Sequence, residues 1–249
     1  MIRLVLTAWA ILVSLGSFIG CGSKSDMSGD PDAGIDGGDR PPCKRRVLEN
    51  EVTNARDLGE HPLSNGNYTL CNTILRGGDL TGLSESGCEE FSKLDIRTVI
   101  DLRMESTQQS QPAPTCVSEH TAITPAPMPK LPETPENYLA LMQEKDAIAT
   151  VFTYLGNPEA YPVYIHCVIG RDRASFVTAL ALLALGANRQ TIIEEFMLSE
   201  EAGVAVKSEC LEAVLEEIET IGGIQAFLLS VGVSNTQLEV LRKELTSNS

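Results

Sequence analysis

The sequence predicts an α/β fold with a central, mostly parallel sheet flanked by helices. Three observations lead there. A helix-like segment, Leu83 to Phe91, runs into a β-branched stretch from Ile96 to Leu102. A second strand, Tyr161 to His166, passes through a tight loop into an apolar helix, Ala174 to Leu185. Everything after that helix carries helical periodicity. Alternating helix and strand with apolar strands is the pattern of such a sheet.

Taken in order, the first helix is opened by a serine ahead of its apolar positions. The stretch Gln108 to Pro135 holds seven prolines, which argues against helix. One short strand is expected there, between Val117 and Ile123. The rest of this stretch either frames a cleft or crosses the surface. From Glu136, the residues Tyr138, Leu141, Met142, Lys145, Ile148, Ala149 and Phe152 recur at three- and four-residue spacing. They predict one helix whose apolar face packs into the core, stopped by Gly156-Asn157-Pro158. The helix at Ala174 to Leu185 is apolar all round, as a helix covered on all sides must be. Four further helices are expected at Ile192 to Leu198, Ser208 to Ile221, Gly223 to Leu229 and Ser234 to Leu245. Between Glu194 and Glu219 there are nine glutamates against Lys207 alone, which predicts a solvated acidic face.

The chain has 249 residues, 43% of them hydrophobic, which suits one domain of about 200 residues with extensions. A formal charge of -15 argues against nonspecific nucleic-acid binding, which needs a basic footprint. It does not exclude an anionic substrate held in a small local pocket.

Met1-Ile2-Arg3 is a short positive start, followed by an apolar run from Leu4 to Ile19 and then Gly20-Cys21. The run is shorter than the ~20 residues that cross a bilayer, so it reads as an export signal. It resembles a bacterial lipoprotein signal over residues 1–20, which implies lipid on Cys21. Residues 21–45 read as a flexible tether rich in Gly, Asp and Pro, and residues 46–249 as the folded domain. The expected location is the bacterial cell envelope, lipid-anchored, with the outer membrane favoured over the inner.

The loop after the second strand carries the chemistry: His166-Cys167-Val168-Ile169-Gly170-Arg171-Asp172-Arg173. A loop between strand and helix aims successive amides inward, and the helix N-terminus adds favourable potential for an anion. Arg173 supplies a planar clamp suited to phosphate oxygens. Cys167 lies where amide dipoles and positive charge favour thiolate. Attack of that sulfur on phosphorus would leave phosphocysteine, which water then hydrolyses. If Cys21 is lipidated and Cys167 is free, five of the seven cysteines remain, so at least one has no intrachain partner among them, and the pairing is open.

The pattern H-C-x5-R, with a G-R-D-R core, resembles the bacterial cysteine-dependent tyrosine and dual-specificity phosphatases. Further landmarks agree in order: Asn54-Ala55-Arg56-Asp57-Leu58-Gly59, Leu75-Arg76-Gly77-Gly78-Asp79-Leu80, and Thr98 to Arg103. The likeness spans roughly Val47 to Leu245. It implies a cysteine-phosphatase fold with the phosphate-binding loop between a strand and a buried helix. It implies Cys167 as nucleophile, Arg173 as phosphate clamp and Asp172 as proton donor and later base, with Asp101 as the alternative acid. Helix capping is the bland reading of Asp172. Val168, Ile169, Gly170 and Arg171 would line the substrate, Arg171 standing where the family has lysine, and His166 and Arg56 would support the site. No cofactor and no metal are implied, since the three histidines form no ligand motif. The implied partner is a phosphorylated protein or a phosphoinositide, with the membrane reached through the lipid; oligomeric state is left open. Ala174 replaces the family's Ser or Thr, Ile169 its Ala, and Glu60 a Gly. The alternative reading is a phosphate- or phosphoprotein-binding module with little turnover, or a phosphoinositide phosphatase.

Overall fold

The computed structural model describes residues 43–246, so the expected signal peptide and nearly all of the expected tether lie outside the described residues. The strands are β1 (Arg56–Asp57), β2 (Ile74–Gly77), β3 (Thr98–Asp101), β4 (Ala122–Pro125) and β5 (Val163–His166). They form one sheet in the order β1-β2-β5-β3-β4. Every neighbouring pair is parallel except β1 with β2. The register aligns Gly77, His166 and Asp101 side by side at the carboxyl ends of β2, β5 and β3. Open parallel sheets place their ligand crevice at that edge.

Side chains alternate across the sheet and feed two cores. Ile74, Ile100, Val163 and Ile165 face the larger one. Leu75, Val99 and Tyr164 face the smaller, with Val47, Leu48 and Phe91. Burial on both faces explains why these strands carry apolar runs.

The helices are α1 (Glu85–Lys93), α2 (Glu105–Ser110), α3 (Thr115–Ser118), α4 (Pro135–Leu141), α5 (Lys145–Leu155), α6 (Asp172–Leu185), α7 (Arg189–Glu201), α8 (Ser208–Thr220), α9 (Ile224–Ser230) and α10 (Asn235–Leu245). Ser84 caps α1, its side chain accepting from the Gly87 amide. The central α6 is buried along nearly its whole length and ends at Gly186, whose φ of 98° is left-handed.

Two sequence expectations need correcting. The proline-rich stretch does contain helix: α2 runs into it, and α3 starts directly after Pro114, where a missing N–H costs nothing. That helix displaces the expected strand, which begins at Ala122 instead of Val117. The single helix expected from Glu136 is two, α4 and α5. Between them Glu144 leaves the helical region at φ −78°, ψ 58°. Leu141, Met142, Ile148 and Phe152 all still reach the larger core, so the apolar spacing survives the break.

Cys43 pairs with Cys71 and Cys88 with Cys116, which leaves Cys167 and Cys210, among the described residues, as free, buried thiols. Near the first bridge, Glu60 has φ 62° and its Oε1 accepts the Cys43 amide at 3.1 Å. The left-handed backbone explains a glycine preference there. Among the described residues no helix is long and apolar enough to cross a membrane.

Candidate active site

Cys167 follows directly on β5, and its amide approaches Gly77 O at 3.4 Å. The residue is only 2% exposed. Beyond it the chain folds back on the segment after β2. Ile169 pairs with Gly78, and the Asp79 amide donates to Val168 O at 3.1 Å. Gly170 has φ 68°, and a Cβ there would lie 2.5 Å from the Gly77 carbonyl carbon, so no side chain fits. The Val168 and Ile169 side chains are exposed.

Behind the loop sits a buried ionic cluster that sequence reasoning missed. The Gly170 carbonyl accepts from Asn54 Nδ2 at 3.0 Å and from Arg76 Nη2. Arg76 also donates to Ser175 Oγ at 2.7 Å and to Glu195 Oε1 at 3.3 Å. Arg56 donates Nε to Glu195 Oε1 and Nη2 to Glu195 O, both at 2.8 Å. His61 Nε2 lies 3.4 Å from Glu195 Oε2. Burial alone would raise the Glu195 carboxyl, but Arg56, His61 and Arg76 hold it down at about 2. Glu195 thus corrects the expectation that the glutamate-rich segment is wholly a solvated face. It shares the inner face of α7 with Ile192, Phe196 and Ser199, at three- and four-residue spacing. That spacing was the available signal, masked by the surrounding charge.

Arg56 is buried and meets the loop through Asn54, which bonds the Gly170 carbonyl, so it does not line the loop's surface. On the other flank, His166 Nδ1 lies 3.1 Å from Cys167 O, and His166 Nε2 lies 3.6 Å from Asp101 Oδ1. Burial pushes the His166 imidazole below its usual range, with Asp101 opposing. Burial would raise Asp101, yet the Arg103 guanidinium, bonded at 2.7 Å, and His166 hold it low. Asp101 is buried in that pair.

At the head of α6, Asp172 Oδ1 accepts from Arg171 Nε at 2.9 Å and from the Tyr138 hydroxyl at 3.1 Å. Asp172 is the first residue of α6, with Arg171 at the N-cap, and its carboxylate is engaged by these two side chains. Arg171 is also 3.7 Å from Glu133. Arg173 donates Nη1 to Leu102 O and Met128 O at 3.3 and 3.4 Å, which ties the end of β3 and the proline-rich segment to the loop. A small cleft beside Asp172 and Arg173 is walled by Pro129, Leu131, Pro132 and Tyr138. The proline-rich segment therefore borders the site. Tyr138 packs edge-on to Phe196 as a core residue does, but its hydroxyl serves Asp172.

A cysteine heading a strand-to-helix loop that closes on arginine, at the carboxyl edge of a parallel sheet, defines the cysteine-phosphatase fold. The chain belongs to the tyrosine phosphatase family, whose profile it matches over residues 48–247. Over 59 residues it is 32% identical to the triple specificity protein phosphatase PtpB of Mycobacterium tuberculosis. That match covers 24% of this chain and 21% of PtpB, so it spans about a fifth of the relative's length. Among solved structures, it is similar to the core catalytic domain of the PP-IP phosphatase SIW14 from S. cerevisiae, with 12% identity, 68% of this chain and 93% of that chain covered, and a TM-score of 0.42. It is also similar to P. aeruginosa TpbA in complex with pTyr, with 15% identity, 75% and 99% covered, and a TM-score of 0.39.

Proposed function

We propose that this protein hydrolyses phosphate monoesters of tyrosine or of mixed hydroxyl specificity, through a phosphocysteine formed on Cys167. The observation that carries the reading is a free Cys167 at the base of the loop, six residues before Arg173, with the Val168 and Gly170 carbonyls tied to donors outside the loop. Outward carbonyls leave the inward side for amides, which suits a tetrahedral anion. Cys167 Sγ attacks phosphorus and the bond to the leaving oxygen breaks, Asp172 giving that oxygen its proton. Water then attacks phosphorus, the S–P bond breaks, and Asp172 takes the proton from water. Arg173 spreads the charge of the equatorial oxygens in both steps. Asp101 suits the acid's role less well, being buried against Arg103. Arg171, held by Asp172 and Glu133, serves more to orient Asp172 than to reach a second phosphate.

The same reading has the chain exported and lipid-anchored in the bacterial envelope through Cys21. Its support is the N-terminal sequence and the two disulfides, which persist in oxidising compartments. The substrate is then a phosphorylated protein or a phosphoinositide met at a membrane surface; PtpB is described as acting with triple specificity. The test is phosphate release by the full chain in detergent from phosphotyrosine peptides, phosphoserine peptides and phosphoinositides, beside Cys167→Ser. Turnover lost with the serine variant supports the reading. Equal release by parent and variant would overturn it, and binding without release by the parent would favour the binding-module alternative.

A further inference from the structure

We propose that Arg76 is the positioning residue of the phosphate loop: its guanidinium holds the Gly170 carbonyl away from the cup and sets a fixed positive charge behind Cys167. This inference rests on the reading of Cys167 as the nucleophile, and it assigns the shape and charge of the site to a residue that never meets the substrate.

A loop that turns amides inward must turn carbonyls outward, and each outward carbonyl needs a donor. At Gly170 that carbonyl is buried, so bulk water cannot supply one. Arg76 Nη2 does so together with Asn54 Nδ2. The same nitrogen donates to Ser175 Oγ at 2.7 Å, inside the first turn of α6. One side chain therefore ties the loop to the helix that carries Arg173. Arg76 itself is placed by the sheet: it pairs with Ile165 of β5, one register position before the Gly77–His166 pair. Glu195 holds its other edge at 3.3 Å.

Arg76 is fully buried, and a buried charge is costly unless it is paired and used. Burial and the nearby Arg56 push its guanidinium down, to about 9, while Glu195 and Cys167 hold it up. The Arg76 charge acts on the Cys167 sulfur through the buried interior, where water and salt screen little. A lysine would keep the charge but lacks the planar fork that serves Gly170, Ser175 and Glu195 together. The other charged and titratable groups around the loop are Tyr164 and His166 on β5, Asp79 after β2, Asp101 and Arg103 at the end of β3, Arg171 in the loop itself, and Asp172 and Arg173 at the head of α6.

The test uses the full chain in detergent with a Cys210→Ser background, so that Cys167 is the thiol to be alkylated inside the fold. Iodoacetamide alkylation is followed against pH, and inorganic phosphate affinity is measured by its protection of the thiol. Arg76→Gln is expected to slow alkylation at pH 6 roughly tenfold, to move the alkylation profile to higher pH and to weaken phosphate protection. Arg76→Lys is expected to keep the parent alkylation profile while still weakening phosphate protection. Parent-like profiles and protection in both variants would overturn the proposal. If circular dichroism shows either variant unfolded, Asn54→Ala and Ser175→Ala retain the buried charges. Both are expected to weaken phosphate protection without moving the alkylation profile, and parent-like protection in both would overturn the proposal. Neither readout needs turnover, so a parent that releases no phosphate would defeat the nucleophile reading separately.

Discussion

The Tyr138 hydroxyl stands 3.1 Å from Asp172 Oδ1, the oxygen that also receives Arg171 Nε at 2.9 Å. Burial, reinforced by Asp172, pushes the Tyr138 hydroxyl far above the usual phenol range, so it remains a proton donor at working pH. Two donors thus hold the carboxylate from opposite chain segments, α4 and the loop. Tyr138→Phe is expected to lower kcat several-fold with little change in KM, because the carboxylate loses one of its two restraints. Asp172→Asn is expected to cost about 100-fold or more in kcat. In the Asp172→Asn background, Tyr138→Phe should cost nothing further. An additive loss in the double variant would show that Tyr138 acts elsewhere.

Ala174 predicts a slow second step. A hydroxyl next to the arginine would steady the departing thiolate, and Ala174 has none. Ser175, one position on, cannot take over that task, since its hydroxyl accepts from Arg76 and its side chain is buried. Rapid-quench measurement on a phosphotyrosine peptide should show a burst of released tyrosine hydroxyl followed by slower turnover, with phosphoenzyme trapped on acid quench. Ala174→Ser should shrink the burst and raise kcat. A parent without a burst would show that breakdown is not the slow step.

The strand, loop and helix from Val163 to Leu185 were legible because each uses a different local signal: apolar β-branching, a Gly with charged neighbours, then an all-apolar helix. The join between α4 and α5 was not, because apolar spacing continues through Met142 while the backbone at Glu144 departs from helix. Asn54, Arg56 and Arg76 were visible as parts of motifs, but the meeting of the two arginines with Glu195 joins segments 139 and 119 residues apart. Periodicity reports which face of a helix is inside. It does not report which distant charge waits there. The glutamate run hid Glu195 for that reason, and the prolines hid α3 because a proline ahead of a first turn ends nothing.

Acid should destabilise the fold through His166, Asp101 and Glu195. All three have folded-state values below their unfolded ones, so the unfolded chain binds more protons as pH falls. Stability from Glu195 is present above the unfolded carboxylate range and is lost as pH falls toward about 2. The drop is roughly 3 kcal/mol for a depression of this size. Asp57 acts in the opposite sense, because burial raises it. Urea midpoints taken from pH 7 to pH 3 should fall, first through His166 and then more steeply through the carboxylates. Glu195→Gln leaves Arg56 and Arg76 short of their counter-charge and is expected to cost about 3–5 kcal/mol at pH 7. It should also flatten the acid limb below pH 4.5. An unchanged limb would place the acid sensitivity elsewhere.

The disulfides should govern stability without governing chemistry. Each spans 28 residues, and closing a loop of that size in the unfolded chain is worth about 3–4 kcal/mol in the chain-entropy account. Cys43–Cys71 ties the entry of the domain to the turn before β2, and Cys88–Cys116 ties α1 to α3, and neither bridge involves a residue of the loop at Cys167. The double variant Cys88→Ser/Cys116→Ser is expected to lower the urea midpoint while leaving kcat/KM at 20 °C near the parent value. A reductant should lower the parent's midpoint further than the double variant's, because the parent has two bridges to lose and the variant one. Activity is expected to have the reverse dependence: with Cys167 as the proposed nucleophile, only its thiol form turns over, so mild reductant should preserve turnover after exposure to peroxide even as it erodes stability. Measuring both on one sample separates the two roles of cysteine in this chain. A midpoint indifferent to reductant would show that the bridges do not form in the protein as made.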